Sequence, residues 1–183
     1  MEKEYWNNRY RKGSSGLGSV GAYRAWKWLV INKYVDAQDV IDVGCGDLRF
    51  WEGRSCRNYV GIDFSELVIK KAEKLRPEWR FICGNATDFV EGLHAEVVLC
   101  IALLFHVMDD KEYPQVLENL CRYSRKWVFV NTWIKNPLHS TKSHQIFRRL
   151  KTDVFCKHNF ELVKMEVCFD KVNAMYVFRK AGK

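Results

Sequence analysis

The stretch Val40-Ile41-Asp42-Val43-Gly44-Cys45-Gly46-Asp47 decides the fold, because an apolar run breaks there into an acid and two spaced glycines. Val40, Ile41 and Val43 are β-branched and suit a parallel strand covered on both faces. Gly44 and Gly46 permit a tight turn and let a ligand approach backbone that carries no Cβ. Residues 48–54, next along, are expected to form a short helix whose unpaired N–H groups point back at that ligand. Two glycines alone suit a plain strand-turn-helix junction equally well, so the reading turns on their surroundings.

Downstream, the chain alternates. Residues 59–63 read as a second short strand ending in Asp63, and Ser65 caps a helix over 66–75 that Pro77 stops. Residues 79–83 are a third strand, followed by Gly84-Asn85-Ala86, and 95–103 a fourth, nearly continuous apolar strand. Val116, Leu117 and Leu120 place a helix over 113–122; a fifth strand covers 127–132, and 143–158 is expected to be helical. Residues 160–169 and 172–179 finish as two strands joined at Asp170-Lys171, a turn so short that the pair must be antiparallel. This order predicts one α/β domain over residues 1–183: a doubly wound, Rossmann-like, mostly parallel seven-stranded sheet with an antiparallel C-terminal strand and helices on both faces.

Ahead of the sheet, Tyr23, Trp26, Leu29, Val30 and Lys33 mark an amphipathic helix over 22–34. Residues 1–21 form an N-terminal arm in which Tyr5-Trp6-Asn7-Asn8-Arg9-Tyr10 precedes a glycine-rich loop. Aromatic residues beside a hinge suit a lid over a ligand; a surface arm anchored by its Trp is the other reading.

Composition bounds the function. The 183 residues suffice for a substantial core. Seven cysteines without a Cys-x-x-Cys pair lie mostly in apolar runs, which argues for reduced thiols in a cytoplasmic protein without a disulfide frame or metal site. The charged amino terminus lacks a signal core, and no apolar run approaches membrane-spanning length. The net charge of +8 is uneven: residues 1–121 carry 16 basic against 18 acidic residues, and residues 122–183 carry 14 against 4, giving −2 and +10. A basic third of this kind suits nucleic acid, an anionic lipid surface, a phosphorylated small molecule, or a solvated face.

Asp63 ends the strand after the glycine loop, 21 residues beyond Asp42, where a carboxylate accepts hydrogen bonds from ribose hydroxyls. The dinucleotide fingerprint would need a third glycine where Arg49 stands, and no G-x-x-x-x-G-K-[ST] loop is present, so nicotinamide, flavin and P-loop ATPase chemistry are disfavoured. With these residues in place, the chain resembles the class I S-adenosylmethionine-dependent methyltransferases. Asp42-Val43-Gly44-Cys45-Gly46 is similar to that family's first motif, Asp63 to its ribose-binding acid, Gly84-Asn85-Ala86 to its adenine-side motif, and LCIALLFHV over 99–107 to its fourth-strand motif. The YWNNRY and SSGLGSVG stretches resemble those of a small phage- and microbe-borne subgroup. The resemblance implies S-adenosylmethionine as cofactor, held by Asp42, Gly44, Cys45, Gly46, Asp63, Phe64, Asn85, Ala86, Ile101 and Ala102, with Trp6 contributed by the arm.

Two departures matter. Leu48 stands at the family's common third glycine, and Asn85 replaces an acid while keeping an acceptor oxygen. The Asn/Asp-Pro-Pro-Tyr/Phe and Pro-Cys signatures of nucleic-acid methyltransferases are missing. A sulfonium is already a strong methyl donor, so the protein has only to align a nucleophile and, where needed, take a proton. His106, just past the fourth strand, is the candidate base, against the alternative of a packed histidine. Asp109 and Asp110 suit the start of the following helix. After the fifth strand His139, His144, Arg148 and Arg149 are the candidate substrate contacts; the spacing of the two histidines does not suit a shared metal. These residues point to a methyltransferase for a small polar or anionic acceptor, with a nucleic-acid methyltransferase or binder and a non-catalytic cofactor-binding module as the alternatives.

Overall fold

Val40, Ile41 and Val43 lie in a buried strand in the middle of a seven-stranded sheet. The computed structural model describes residues 3–13, 16–137 and 144–182. Strand β1 (Asp39–Val43) pairs in parallel with β2 (Asn58–Asp63) and β4 (Ala95–Ile101); β3 (Arg80–Cys83) lies outside β2, and β5 (Ser124–Trp133) outside β4, all parallel. Strand β7 (Asn173–Lys180) runs antiparallel to β5, and β6 (Phe160–Val167) pairs antiparallel with β7. The order is therefore β3-β2-β1-β4-β5-β7-β6, with β7 alone reversed.

Alternation along the strands divides the core. Ile41, Val43, Val98 and Cys100 face one cluster, which α4 (Glu112–Tyr123) and α5 (Thr152–Lys157) cover with Val116, Leu117, Leu120 and Phe155. Val40, Val97, Leu99 and Ile101 face the other, covered by Trp28, Val30 and Ile31 of α2 (Gly21–Tyr34) and Ile69 and Ala72 of α3 (Glu66–Leu75). Ser65 caps α3 as expected, its hydroxyl accepting from Val68 N.

Three expectations are corrected. Residues 48–54 form only a 3-10 turn, Arg49–Trp51, set between left-handed backbone at Leu48 (φ 60°) and Gly53 (φ 71°). The fourth strand stops at Ile101, since Ala102 turns at φ 56°. Of the described residues of the segment expected to be helical over 143–158, only Thr152–Lys157 are α-helical; 145–150 run irregularly over the post-β4 turn, with Ile146 N–H donating to Phe105 O. The arm contains a helix, α1 (Lys3–Lys12).

The glycine turn is backed by aromatic rings. Asp42 is 2% exposed, and its Oδ2 accepts from Trp51 Nε1 at 2.8 Å and Tyr59 OH at 3.1 Å. Trp51 packs edge-on against Trp28 and Trp79, and Tyr59 stacks on Trp79. Burial raises the Asp42 carboxyl to about 6, opposed by these two hydrogen bonds. Because that value exceeds the ordinary carboxylate range, the folded chain holds more protons than the unfolded one, and this group's contribution to stability falls as pH rises from about 4 through about 6. Trp51→Phe removes one donor and raises the carboxyl further. Thermal melts are expected to show a loss of about 1–3 kcal/mol at pH 8 and a smaller loss at pH 5. Equal losses at both would mean that Trp51 acts through packing alone.

Candidate cofactor and acceptor site

A cavity of about 290 Å³ opens at the carboxyl edge of β1, β2 and β4, where ligands of open α/β sheets bind. Gly44 and Gly46 bring the chain into it at φ 79° and 56°, and the Gly44 and Cys45 N–H groups both donate to Ile62 O, at 2.8 and 3.1 Å. A Cβ on Gly44 would stand 3.0 Å from the Leu103 side chain, so the turn has no room for one. Cys45 is buried, with Sγ 2.8 Å from where a Cβ of Gly61 would lie; it forms part of the turn's packed underside.

Asp63 ends β2 in the same cavity. Its Oδ2 accepts from Gly46 N at 3.1 Å and its Oδ1 from Ser65 N at 2.9 Å. A carboxylate has about four acceptor sites, so two donors leave capacity for a pair of ribose hydroxyls. Burial raises Asp63 to about 6, partly offset by those two backbone bonds. Phe64, Ile101, Ala102, Trp6, His106 and His144 line the cavity with Asp42, Gly44, Cys45 and Gly46.

Other expected residues lie elsewhere. Asn85 and Ala86 are not among the lining residues; their turn is held by Asn119 Nδ2, which donates to Ala86 O and Thr87 O. His139 lies outside the described residues. Arg148 is not among the lining residues either: its side chain is 13% exposed, and its guanidinium donates to Val107 O, Met108 O and Asp110 Oδ1. Arg149 is exposed and does not line the cavity.

Several residues of the site were not anticipated. Arg9, Tyr10 and residues 16–19 line the cavity. The signal was present in the spacing of Tyr5, Trp6, Arg9 and Tyr10 at i, i+1, i+4 and i+5, one face of a helix. Helix α1 is tied down by Lys71 Nζ donating to Tyr10 O at 2.7 Å and by Ser65 Oγ donating to Asn7 Oδ1 at 2.5 Å. Lys27, 2% exposed, donates to Gly18 O at 2.8 Å, and burial lowers its amine to about 8.

At the far end of the cavity, His106 Nδ1 lies 2.9 Å from His144 O. A carbonyl only accepts, so the neutral ring carries its hydrogen on Nδ1 and its basic lone pair on Nε2. Trp6 packs edge-on against His106, and Tyr5 stacks on His144, with their OH and Nε2 2.9 Å apart. Arg9 Nη1 donates to Tyr5 OH at 3.2 Å.

A glycine turn after the first strand, an acid ending the second and a cavity at the same sheet edge define a Rossmann-like protein for a nucleoside-bearing cofactor. Residues 40–126 match the family model described as a methyltransferase domain. The chain is 30% identical over 112 residues to a ubiquinone biosynthesis O-methyltransferase of Leptothrix cholodnii. That alignment covers 56% of this chain and 47% of the other, so the chain spans about half the length of the curated relative it matches. Its fold is shared with magnesium protoporphyrin IX methyltransferase from Synechocystis PCC 6803, at TM-score 0.70 and 14% identity over 98% of each chain. It is shared too with an N-methyltransferase of Bradyrhizobium japonicum WM9, at TM-score 0.72 and 11% identity over 87% and 88% of the two chains. Over residues 40–126 the chain carries a methyltransferase domain, and the match, the relative and the shared fold together support the S-adenosylmethionine-dependent class with S-adenosylmethionine as cofactor. The spare acceptor capacity of Asp63 and the Cβ-free turn at Gly44 fit its ribose and methionine portions. Among the described residues, no helix is long and apolar enough to cross a membrane, and no cluster of three or more His, Cys, Asp or Glu side chains could hold a metal ion.

Two outcomes are expected. Asp63→Ala weakens S-adenosylmethionine binding by about 1–3 kcal/mol, and wild-type affinity, measured by calorimetry, falls as pH drops below about 6 because protonation removes the charged acceptor. Unchanged affinity in Asp63→Ala would remove Asp63 from the ribose contact. Separately, Arg148→Ala is expected to cost about 2 kcal/mol in thermal melts through its lost carbonyl bonds, with Arg149→Ala near zero.

Proposed function

We propose that the chain is a single catalytic domain that transfers a methyl group from S-adenosylmethionine to a small polar or anionic acceptor, with residues 1–21 closing the cavity. The observation that carries this reading is that Arg9, His106 and the ribose-type carboxylate Asp63 line one cavity. The bound cofactor would supply an activated methyl group on its sulfonium. Asp63 would accept from its ribose hydroxyls. Trp6 and residues 16–19 would screen the reacting atoms from water, and Arg9 would hold an anionic group of the acceptor. His106, with Nδ1–H fixed on the His144 carbonyl, would take the acceptor's proton on Nε2 as the acceptor's own lone pair bonds to the methyl carbon and the methyl–sulfur bond breaks, its electron pair passing to the sulfur of the departing thioether.

The nucleic-acid alternative loses support from the way the basic third spends its charge. Arg125 pairs with Asp39, Lys126 with Glu96, and Arg148 with Asp110, each joining a cation of that third to an acid of the earlier chain. Arg179 lies over Trp127. These cations complete the fold rather than form one basic face.

The test is turnover of S-adenosylmethionine with pooled small metabolites against RNA and DNA oligonucleotides; turnover only with nucleic acid would overturn the reading. Once an acceptor is found, His106→Ala is expected to lower kcat by about 10²- to 10⁴-fold with cofactor affinity retained. Arg9→Ala should raise the acceptor KM and leave cofactor affinity nearly intact. A change confined to cofactor affinity would assign Arg9 to the cofactor.

A further inference from the structure

The two sides of the sheet end differently. Strand β3 has four residues, a length that discourages further pairing. Strand β6 has eight, and among the described residues no strand pairs with its outer edge. Leu162, Val163, Met165 and Val167 are 43, 44, 39 and 46% exposed, and Phe169 just beyond is 58% exposed. Helix α2 runs beside this edge: Lys33 pairs with Glu166 at 2.6 Å, and the ring of Tyr23 packs 4.9 Å from that of Phe169. Leu29, one turn before Lys33, is 72% exposed. The result is an apolar strip along an open strand, flanked by a few charges, a combination that marks interaction surfaces.

The order of side chains specifies the occupant. Met165 and Val167 lie opposite Tyr176 and Ala174 on one face of the sheet, and Lys164 and Glu166 lie opposite Val177 and Met175 on the other. A two-fold axis normal to the sheet keeps each face on its own side, so in antiparallel self-pairing only residues of the same face oppose one another. Centred on Lys164, such a pairing would set two ammonium groups together. Centred on Met165, it sets Lys164 of each copy against Glu166 of the other, Val163 against Val167, and Met165 against itself. Unlike charges then meet twice on one face and apolar side chains meet on the other. The bulge at Val163, which has no partner on β7, limits the ladder to residues 163–167.

We propose that β6 is a dimerisation edge, and that two copies of this chain join their sheets antiparallel about Met165. The interface is independent of the cavity, so it stands whether or not the proposed acceptor class is right.

Sedimentation of the full-length chain across a concentration series tests it. The wild type is expected to dimerise. Lys164→Glu sets carboxylates against each other twice, Glu166→Lys does the same with ammonium groups, and each variant alone should raise the dissociation constant by about tenfold or more. Mixed one to one, the two variants restore both unlike pairs, and the mixture should sediment as a heterodimer with affinity near that of the wild type. Because Glu166→Lys also loses the Lys33 pair, circular dichroism melts check that each variant is folded; Met165→Lys, which sets two ammonium groups at the axis, is a second disruptor should Glu166→Lys unfold. A wild type that stays monomeric at its highest soluble concentration overturns the proposal. So do folded Lys164→Glu and Met165→Lys variants that dimerise like the wild type, or a mixture that gains nothing over its components.

Discussion

A carboxylate buried under a sheet, held by an indole and a phenol, is the constraint on which the site depends. Asp42 sits among β-branched residues where an apolar side chain would be easier to bury, and an unpaired charge there would cost several kcal/mol. Trp51 Nε1 and Tyr59 OH offset that cost. In accepting from both, Asp42 ties β1 to the turn after the glycines and to the start of β2. Through Trp51 and Tyr59 the same carboxylate touches a ring cluster that includes Trp28 of α2 and Trp79 ahead of β3. The glycine turn is thereby held from beneath, and Asp63 is presented at a fixed place beside it.

The second organising feature is the distribution of charge. A chain whose parts carry −2 and +10 looks polarised in sequence. Folding brings β5 beside β4, and the cations at the start of β5 meet the acids at the starts of β1 and β4. These exposed pairs each contribute little to stability, but together with Arg148 and Asp110 they place three cations of that third against acids of the earlier chain. The cavity takes its cation instead from Arg9, in the part of the chain with no positive excess.

The sheet was readable from sequence because its strands are short β-branched runs whose ends carry chemistry: Asp42 with the glycines, Asp63, and the apolar stretch before His106. The same grammar predicted the reversed terminal strand from the two-residue turn at Asp170-Lys171. Sequence reasoning failed where tertiary contacts override local pattern. Residues 145–150 look helical, yet Ile146 N–H is drawn to Phe105 O, and the Arg148 guanidinium is drawn to the carbonyls of Val107 and Met108. Arg148 and Arg149 were read as substrate cations because they follow the fifth strand; neighbours in an extended segment point to opposite sides, and only the fold distinguishes the one that packs from the one in solvent. In the arm, the glycines after Lys12 drew attention away from a single aromatic helix face that brings Trp6, Arg9 and Tyr10 to the cavity.

The position of β7 bears on how the molecule is made. It follows β6 in the chain but lies between β6 and β5, so the sheet is completed by inserting an interior strand last. Until residues 173–180 leave the ribosome, β5 presents an open edge bearing Trp127 and Phe129, and β6 has no sheet to join. Synthesis from the amino terminus can therefore assemble β1 to β5 with their helices but cannot close the structure. During that interval the nascent chain exposes an apolar edge of the kind that chaperones cover, and a chain interrupted before β7 forfeits two strands rather than one.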